Sequence, residues 1–274
     1  MGIFDARLTT DLYGGCGRVV RCRQCGLAYR NPREATSTIE KAYISNEDPD
    51  ALGEQECRSI NAFLSLKTIR EFREGGRLLE VGSSLGHFLN AARSTFDAVG
   101  IEPNRWASRW ARERFRVDVR EGVLSPGLFA PDSFDVVVAI DLLEHVTDPQ
   151  ALVTSLSHLL VPGGVLYIVT PNIESLSCRL LGRWWWGFRP SHLTYFSPKT
   201  MARMLSNAGL YVRQCRSYGR VFSYGYWLSR LKNYPSLAVW PISFVLSLMG
   251  WAGKVLYLDT RDSMEIIAFK RAHS

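Results

Sequence analysis

Apolar positions along the chain come in two spacings that alternate. Leu78 to Val81, Ala98 to Ile101 and Val117 to Arg120 read as short strands. Val136 to Ile140 is apolar at every position, as a strand covered on both faces requires, and Val165 to Val169 reads as another. Leu210 to Ser217 and Ser263 to Lys270 complete the predicted set. Between these runs the spacing lengthens to that of helices. Phe88, Leu89, Ala91 and Ala92 form one stripe; Trp106, Ala107, Trp110, Ala111 and Phe115 another; Leu152, Leu156, Leu159 and Leu160 a third; and Met201, Met204 and Leu205 a fourth. Ile60, Phe63, Leu64, Lys67 and Phe72 place a further helix ahead of the first strand, stopped by Gly75-Gly76. Asn104, Asp148-Pro149 and Ser197-Pro198 supply helix starts, and Pro162-Gly163-Gly164 and Gly209 supply stops. Strands alternating with helices predict an α/β fold with a mostly parallel sheet.

The stretch around which this pattern is organised is Arg77 to Leu89. A buried strand ends at Val81, Gly82 to Gly86 form a tight turn, and a helix follows. Glycine at such a turn admits φ > 0 and lets a ligand approach the backbone. The helix start then offers unpaired N–H groups. The dinucleotide fingerprint requires glycines at 84 and 87, where this chain has Ser84 and His87, so a nicotinamide enzyme is disfavoured. Glu102 ends the next strand about 20 residues on, where a carboxylate can accept from both hydroxyls of a ribose.

Glu80, Gly82 and Gly86 match the acid-x-Gly-x-Gly-x-Gly loop of class I S-adenosylmethionine (SAM) methyltransferases, with Ser84 in place of the middle glycine. The Phe134-Asp135 pair, the valine-rich strand, Leu143-Glu144-His145-Val146, Asp148-Pro149 and the Pro162-Gly163-Gly164 turn make the resemblance specific. Pro190-Ser191-His192-Leu193 is similar to a segment of the ubiquinone-O-methyltransferase-like branch, with serine in place of its glutamate. The resemblance covers about residues 75–220 and 262–271. It implies a Rossmann-like seven-stranded sheet with helices on both faces. It also implies SAM bound by Glu80, Gly82, Ser84, Gly86, Glu102, Val123 and Asp141, with Val123 beside the adenine.

Removing the proton of an acceptor hydroxyl calls for a base. His145, His192 and Tyr195 are the candidates, all expected at the C-terminal edge of the sheet. His87 reads as a helix-start residue and His158 as surface. In ubiquinone O-methyltransferases an acid-x-x-Glu-His pattern is a divalent-metal site able to hold a catechol. Asp141, Glu144 and His145 are similar to it, and a metal-free loop is the alternative.

Residues 1–50 read as a small N-terminal module, joined by the linker Asn46 to Gln55 to a methyltransferase domain over 51–274. Cys22-Arg23-Gln24-Cys25-Gly26 is a zinc-type knuckle, and residues 19–32 resemble the second half of a zinc ribbon found in bacterial methyltransferases. With only Cys16 nearby, zinc at Cys22 and Cys25 and a pair of free thiols both stay open. Residues 220–260 form an insertion, expected to be an apolar helical one, before the last strand. Its uncharged run Leu237 to Gly253 approaches the ~20 residues of a membrane span. A span would separate the last strand from its sheet, which leaves a lid, a dimer contact or a membrane-surface contact through 237–258.

The 274 residues suffice for one such domain with additions. The net charge of +7 comes with arginines scattered rather than run together, so a soluble basic surface outweighs a nucleic-acid stripe. The place after Ile140 also lacks the Asn/Asp-Pro-Pro-aromatic motif of nucleic-acid amino-methyltransferases. Met1 to Thr10 has no apolar run, and the six cysteines form no secreted pattern, so a cytoplasmic protein is expected, with membrane association open. The expected partner is a small-molecule acceptor, methylated at oxygen and apolar or membrane-associated. A polar acceptor such as a sugar, and a non-catalytic SAM-binding module, are the alternatives.

Overall fold

Two short strands, β1 (Phe4–Asp5) and β2 (Arg18–Arg21), open the chain, followed by β3 (Ala28–Arg30) and helix α1 (Thr36–Ser45). The computed structural model describes residues 4–5, 17–45, 49–226 and 254–272. After a 3₁₀ turn, α2 (Gln55–Arg70) leads to β4 (Arg77–Val81), α3 (His87–Ala92), β5 (Asp97–Glu102), α4 (Arg105–Phe115) and β6 (Asp118–Glu121). Then come β7 (Phe134–Ile140), α5 (Pro149–Leu159), β8 (Leu160–Pro171), α6 (Leu176–Leu181), β9 (Thr194–Tyr195) and α7 (Pro198–Asn207). The chain closes with β10 (Leu210–Ser217), β11 (Arg220–Ser223), β12 (Val255–Leu258) and β13 (Ser263–Lys270).

The expected seven-stranded sheet is present, in the order β10-β13-β8-β7-β4-β5-β6. From β8 to β6 the pairings are parallel, and β13 enters antiparallel between β8 and β10. Successive side chains on a strand point to opposite faces. Leu78 and Val136 therefore join Leu66, Ile69 and Tyr167 on one face, while Leu79 and Val137 join Leu156, Ile168, Met201 and Leu205 on the other. This two-sided burial is why β7 carries no polar side chain from Val136 to Ile140. The helix starts follow the expected chemistry. Asn104 and Asp148 accept from the N–H of the third residue on, at 2.9 Å each, and Ser197 forms a capping box with Thr200.

The second sheet runs β1-β2-β3-β9, so the N-terminal hairpin takes Thr194 and Tyr195 as its fourth strand. A separate cluster seals it, in which Val19, Ala28, Phe188 and Tyr195 pack around the fully buried Trp185. The two arms of the 220–260 insertion are strands rather than helix: β11 and β12 pair antiparallel, Arg220 with Leu258 through Ser223 with Val255. The expected apolar run Leu237 to Gly253 lies outside the described residues. Among the described residues no helix is long and apolar enough to cross a membrane.

Candidate active-site cleft

The first strand of the sheet, β4, has β5 and β6 on one side and β7 and β8 on the other. The two chain directions separate at the C-terminal ends of β4 and β7, the place where open α/β sheets bind ligands. A cleft of about 390 Å³ lies there, lined by Glu80, Gly82, Ser84, His87, Asp141, Glu144, His145, Arg189, His192 and Arg220 among others.

Its floor is the glycine turn. Gly82, Ser84 and Gly86 all have positive φ, at 77°, 46° and 74°. A Cβ at Gly86 would stand 2.8 Å from the Ala111 Cβ, so packing against α4 as well as backbone angle requires glycine. Glu102 is fully buried, and it ties the turn down. Its Oε2 accepts from the Ser84 N–H at 2.7 Å and its Oε1 from the Asn104 N–H at 2.8 Å. Glu80 is buried with Oε2 unpartnered, and burial, reinforced by Glu102, pushes its carboxyl well above the usual range. The side of the cleft is α2. Ser59 meets His87 Nδ1 at 3.0 Å, and Ser65 meets the Tyr218 hydroxyl at 2.9 Å. Asn61 clamps β11, accepting from the Val221 N–H at 2.7 Å and donating to the Val221 carbonyl at 2.9 Å. Glu54 accepts from the Ser223 N–H and hydroxyl at 3.0 and 2.5 Å. The hairpin arm is thus strapped over the cleft.

The far end holds the titratable groups. His145 Nδ1 lies 3.0 Å from the Ser191 carbonyl and His192 Nδ1 2.9 Å from the Gly187 carbonyl, with ring centroids 4.8 Å apart. A carbonyl only accepts, so each neutral ring carries its proton on Nδ1 and its lone pair on Nε2. Burial, with His145 and Arg189 nearby, holds the His192 imidazole far below its ordinary pKa, hence neutral. Glu144 accepts from the Thr170 hydroxyl at 3.0 Å through Oε2, while its buried Oε1 has no partner. Burial and then Asp141 push the Glu144 carboxyl up to about 8. Ligand atoms of Glu144, His145 and His192 lie within 4.8 Å of one another. Asp141, the acid expected to join Glu144 and His145, instead gives both oxygens to Arg220, at 2.7 and 2.5 Å. Burial opposes its ionisation, but the Arg220 charge and hydrogen bonds outweigh this and hold it below the usual carboxylate range.

Of the expected site residues, Glu80, Gly82, Ser84, Asp141, His145 and His192 line this one cleft. Gly86 and Glu102 stand behind the turn. Val123 lies on the loop after β6, 59% exposed and outside the lining. Tyr195 is buried in the second sheet, its hydroxyl 3.4 Å from the Arg189 carbonyl. Cys22 and Cys25 sit together in a knuckle with Gly26 at φ 79°, and the N–H groups of Cys25 and Gln24 lower the Cys22 thiol. Among the described residues no third ligand joins them, and Cys16 lies outside those residues.

Arg220 and Asn61 had no motif to announce them. The one signal was a lone arginine within the otherwise uncharged Tyr218-Gly219-Arg220-Val221-Phe222.

This sheet order and a glycine-turn cleft at its switch point are those of the class I SAM-dependent methyltransferase fold. The chain belongs to the methyltransferase domain family, whose model matches residues 52–215. It is 26% identical over 188 residues to a ubiquinone biosynthesis O-methyltransferase of Dinoroseobacter shibae, covering 65% of this chain and 73% of that one. It is 31% identical over 157 residues to the same-named protein of Xanthomonas campestris pv. campestris, covering 52% and 66%. Against the Sinorhizobium medicae relative, 26% identical over 141 residues, the match spans 52% of this chain and only 55% of the relative's length. Among solved structures, the YcgJ protein from Bacillus subtilis superposes with a TM-score of 0.53 at 16% identity, over 78% of this chain and all of that one. A SAM-dependent methyltransferase from Archaeoglobus fulgidus does so with a TM-score of 0.53 at 18% identity, over 81% and 100%.

Proposed function

We propose that the cleft transfers a methyl group from SAM to an oxygen of a small acceptor with an apolar body. The observation that carries this reading is the left-handed turn Gly82–Gly86 at the switch point, opening into a cleft whose other end holds two imidazoles. When bound, SAM supplies an electrophilic methyl group. Gly82 and Ser84 let it approach the backbone while Gly86 seats the turn on α4, and the unpartnered Glu80 Oε2 fits a polar donor group of the cofactor. Glu102 fixes the turn, and each of its oxygens keeps a second lone pair for a ribose hydroxyl. Val123 stands on the loop beyond β6 for the adenine. Asp141, held by Arg220, stands where the methyl-bearing end of the cofactor would meet the acceptor.

His145 or His192 takes the proton of the acceptor hydroxyl at Nε2, since the carbonyls of Ser191 and Gly187 fix the tautomer that leaves Nε2 as the acceptor. Tyr195 acts at one remove, through the Arg189 carbonyl. The names of the relatives support oxygen as the methylated atom. The exposed Val255, Tyr257 and Leu258 on β12, with Leu258 in the cleft lining, support an apolar acceptor body. Residues 51–274 would carry the reaction. Residues 1–50 form an appended module whose Cys22 and Cys25 would hold zinc only with ligands from outside the described residues.

Label transfer tests the reading. The full chain is incubated with methyl-labelled SAM and a cell extract, and the products are partitioned. Base-stable label in the organic phase, lost in a Gly82→Val variant, is the expected result. Label confined to protein or nucleic acid overturns it.

A further inference from the structure

The resemblance left a divalent cation at Asp141, Glu144 and His145 open beside a metal-free loop, and the structure ties that aspartate elsewhere. Both oxygens of Asp141 are taken by the forked Nη1 and Nη2 of Arg220, a residue delivered from the strap β11. The guanidinium carries five N–H groups, of which two go to Asp141. Among the described residues no acceptor takes the other three, and the cation lies 5.0 Å from the centre of the Tyr218 ring. Arg220 lines the cleft beside Glu144, His145 and His192, and Arg189 lines it too. Arg220 bars a dication by taking both oxygens of Asp141, and Arg189 adds a second guanidinium to the same end. The same charges suit an anionic oxygen, which a guanidinium binds with directed hydrogen bonds.

We propose that Arg220 occupies the place of the divalent cation, making this a metal-independent site that holds an acceptor bearing an ionisable oxygen group beside the methylated hydroxyl. This rests on the reading of the cleft as a methyl-transfer site, yet its central claim concerns cation binding and can be measured without turnover. Glu144, His145 and His192 keep ligand atoms within 4.8 Å of one another, but the aspartate that would complete the Asp-x-x-Glu-His pattern is held by Arg220. Arg220 spends that aspartate and supplies the charge itself, with a fork in place of an open coordination shell. Phenolates and carboxylates fit such a fork, and an acceptor without an acidic oxygen does not use it.

The experiment is a Mn²⁺ titration of the full chain, followed by electron paramagnetic resonance and calorimetry, with SAM binding measured separately. Mn²⁺ prefers oxygen and imidazole donors, so Cys22 and Cys25 do not compete for it. The wild type is expected to hold no stoichiometric Mn²⁺ and to transfer label undiminished in chelator. Arg220→Met is expected to take up one Mn²⁺ per chain, tightened by about tenfold or more, because a fixed charge is gone and Asp141 is free. The double variant Arg220→Met/Asp141→Asn should lose that ion again. Stoichiometric Mn²⁺ on the wild type overturns the proposal, whether or not Arg220→Met folds. A folded Arg220→Met that gains no ion overturns it as well, leaving Arg220 as a hairpin pin. Absence of label transfer from the wild type strikes the methyl-transfer reading instead, and the Mn²⁺ result still judges Arg220.

Discussion

Asp141 and Arg220 lie 79 positions apart and meet through both carboxylate oxygens, so the C-terminal end of β7 is bolted to the strap that crosses the cleft. The aspartate also has φ 49°, a left-handed angle that the pair helps hold. A pair of contacting, partly buried charges couples by about 1–3 kcal/mol in a double-mutant cycle. Asp141→Asn and Arg220→Met should each lower the midpoint of thermal unfolding, and the double variant should lose less than the two losses added. Strict additivity would show that the two side chains do not meet in solution.

Ser84 stands where the family loop carries glycine, and its φ of 46° shows why glycine is usual there. A left-handed non-glycine residue costs about 1–2 kcal/mol, part of which glycine returns through its freer unfolded chain. Ser84→Gly should therefore stabilise the protein by about 0.5–1 kcal/mol, read as a shifted urea midpoint. Ser84→Val should move the midpoint the other way, because a β-branched side chain is worse still at that angle.

His87 is buried against Trp110 and Phe115, with Ser59 on Nδ1 and no partner on Nε2. Burial, with Arg58 and Arg114 nearby, pushes its pKa down to about 4. Between the unfolded value of about 6.5 and that pKa, the unfolded chain binds more protons than the folded one. Stability from this site is therefore complete above about pH 6.5 and is lost as pH falls towards 4. His87→Gln keeps a polar partner for Ser59 without titrating. The difference in unfolding free energy between wild type and variant should shift against the wild type by up to about 1.4 kcal/mol per pH unit across that window. A difference independent of pH would place the imidazole in solvent.

The sheet could be read from the sequence because its information is local. A fully apolar run such as Val136 to Ile140 has one natural home, and the helix starts at Asn104, Asp148 and Ser197 carry their own caps. What escaped was long-range. No spacing tells that β3 borrows Thr194 and Tyr195 as a partner strand, which is why Tyr195 sits in the second sheet rather than in the cleft lining. Nor does any spacing tell that Arg220 reaches Asp141 or that Asn61 clamps Val221. The stripe in α2 shows a subtler limit. Phe63 looked like a core position, yet burial falls on Ala62, Leu66 and Ile69, and Phe63 is left exposed. Periodicity fixes which positions share a face, and the neighbouring element decides which face is covered.

Glu102 carries the last prediction, because its two roles separate under substitution. The structure gives its oxygens to the N–H groups of Ser84 and Asn104, which holds the turn in shape. The proposed function adds the ribose hydroxyls. Glu102→Ala removes a buried acceptor of two backbone hydrogen bonds, whose carboxyl is pushed above the usual range by burial, and should weaken SAM binding by about 1.5–3 kcal/mol, roughly 10- to 150-fold in Kd by calorimetry. It should also destabilise the fold, since two buried N–H groups lose their partner. Glu102→Asp tells the roles apart. A carboxyl group one methylene shorter cannot span Ser84 and Asn104 at the same distances, so the turn loosens while an acceptor group persists. Weakened binding of both SAM and its demethylated product in both variants, alongside unchanged binding of a cofactor analogue lacking the ribose hydroxyls, would assign the ribose to Glu102. Equal loss for the analogue would leave Glu102 as a brace for the turn. Undiminished SAM affinity in Glu102→Ala would remove it from the cofactor site altogether.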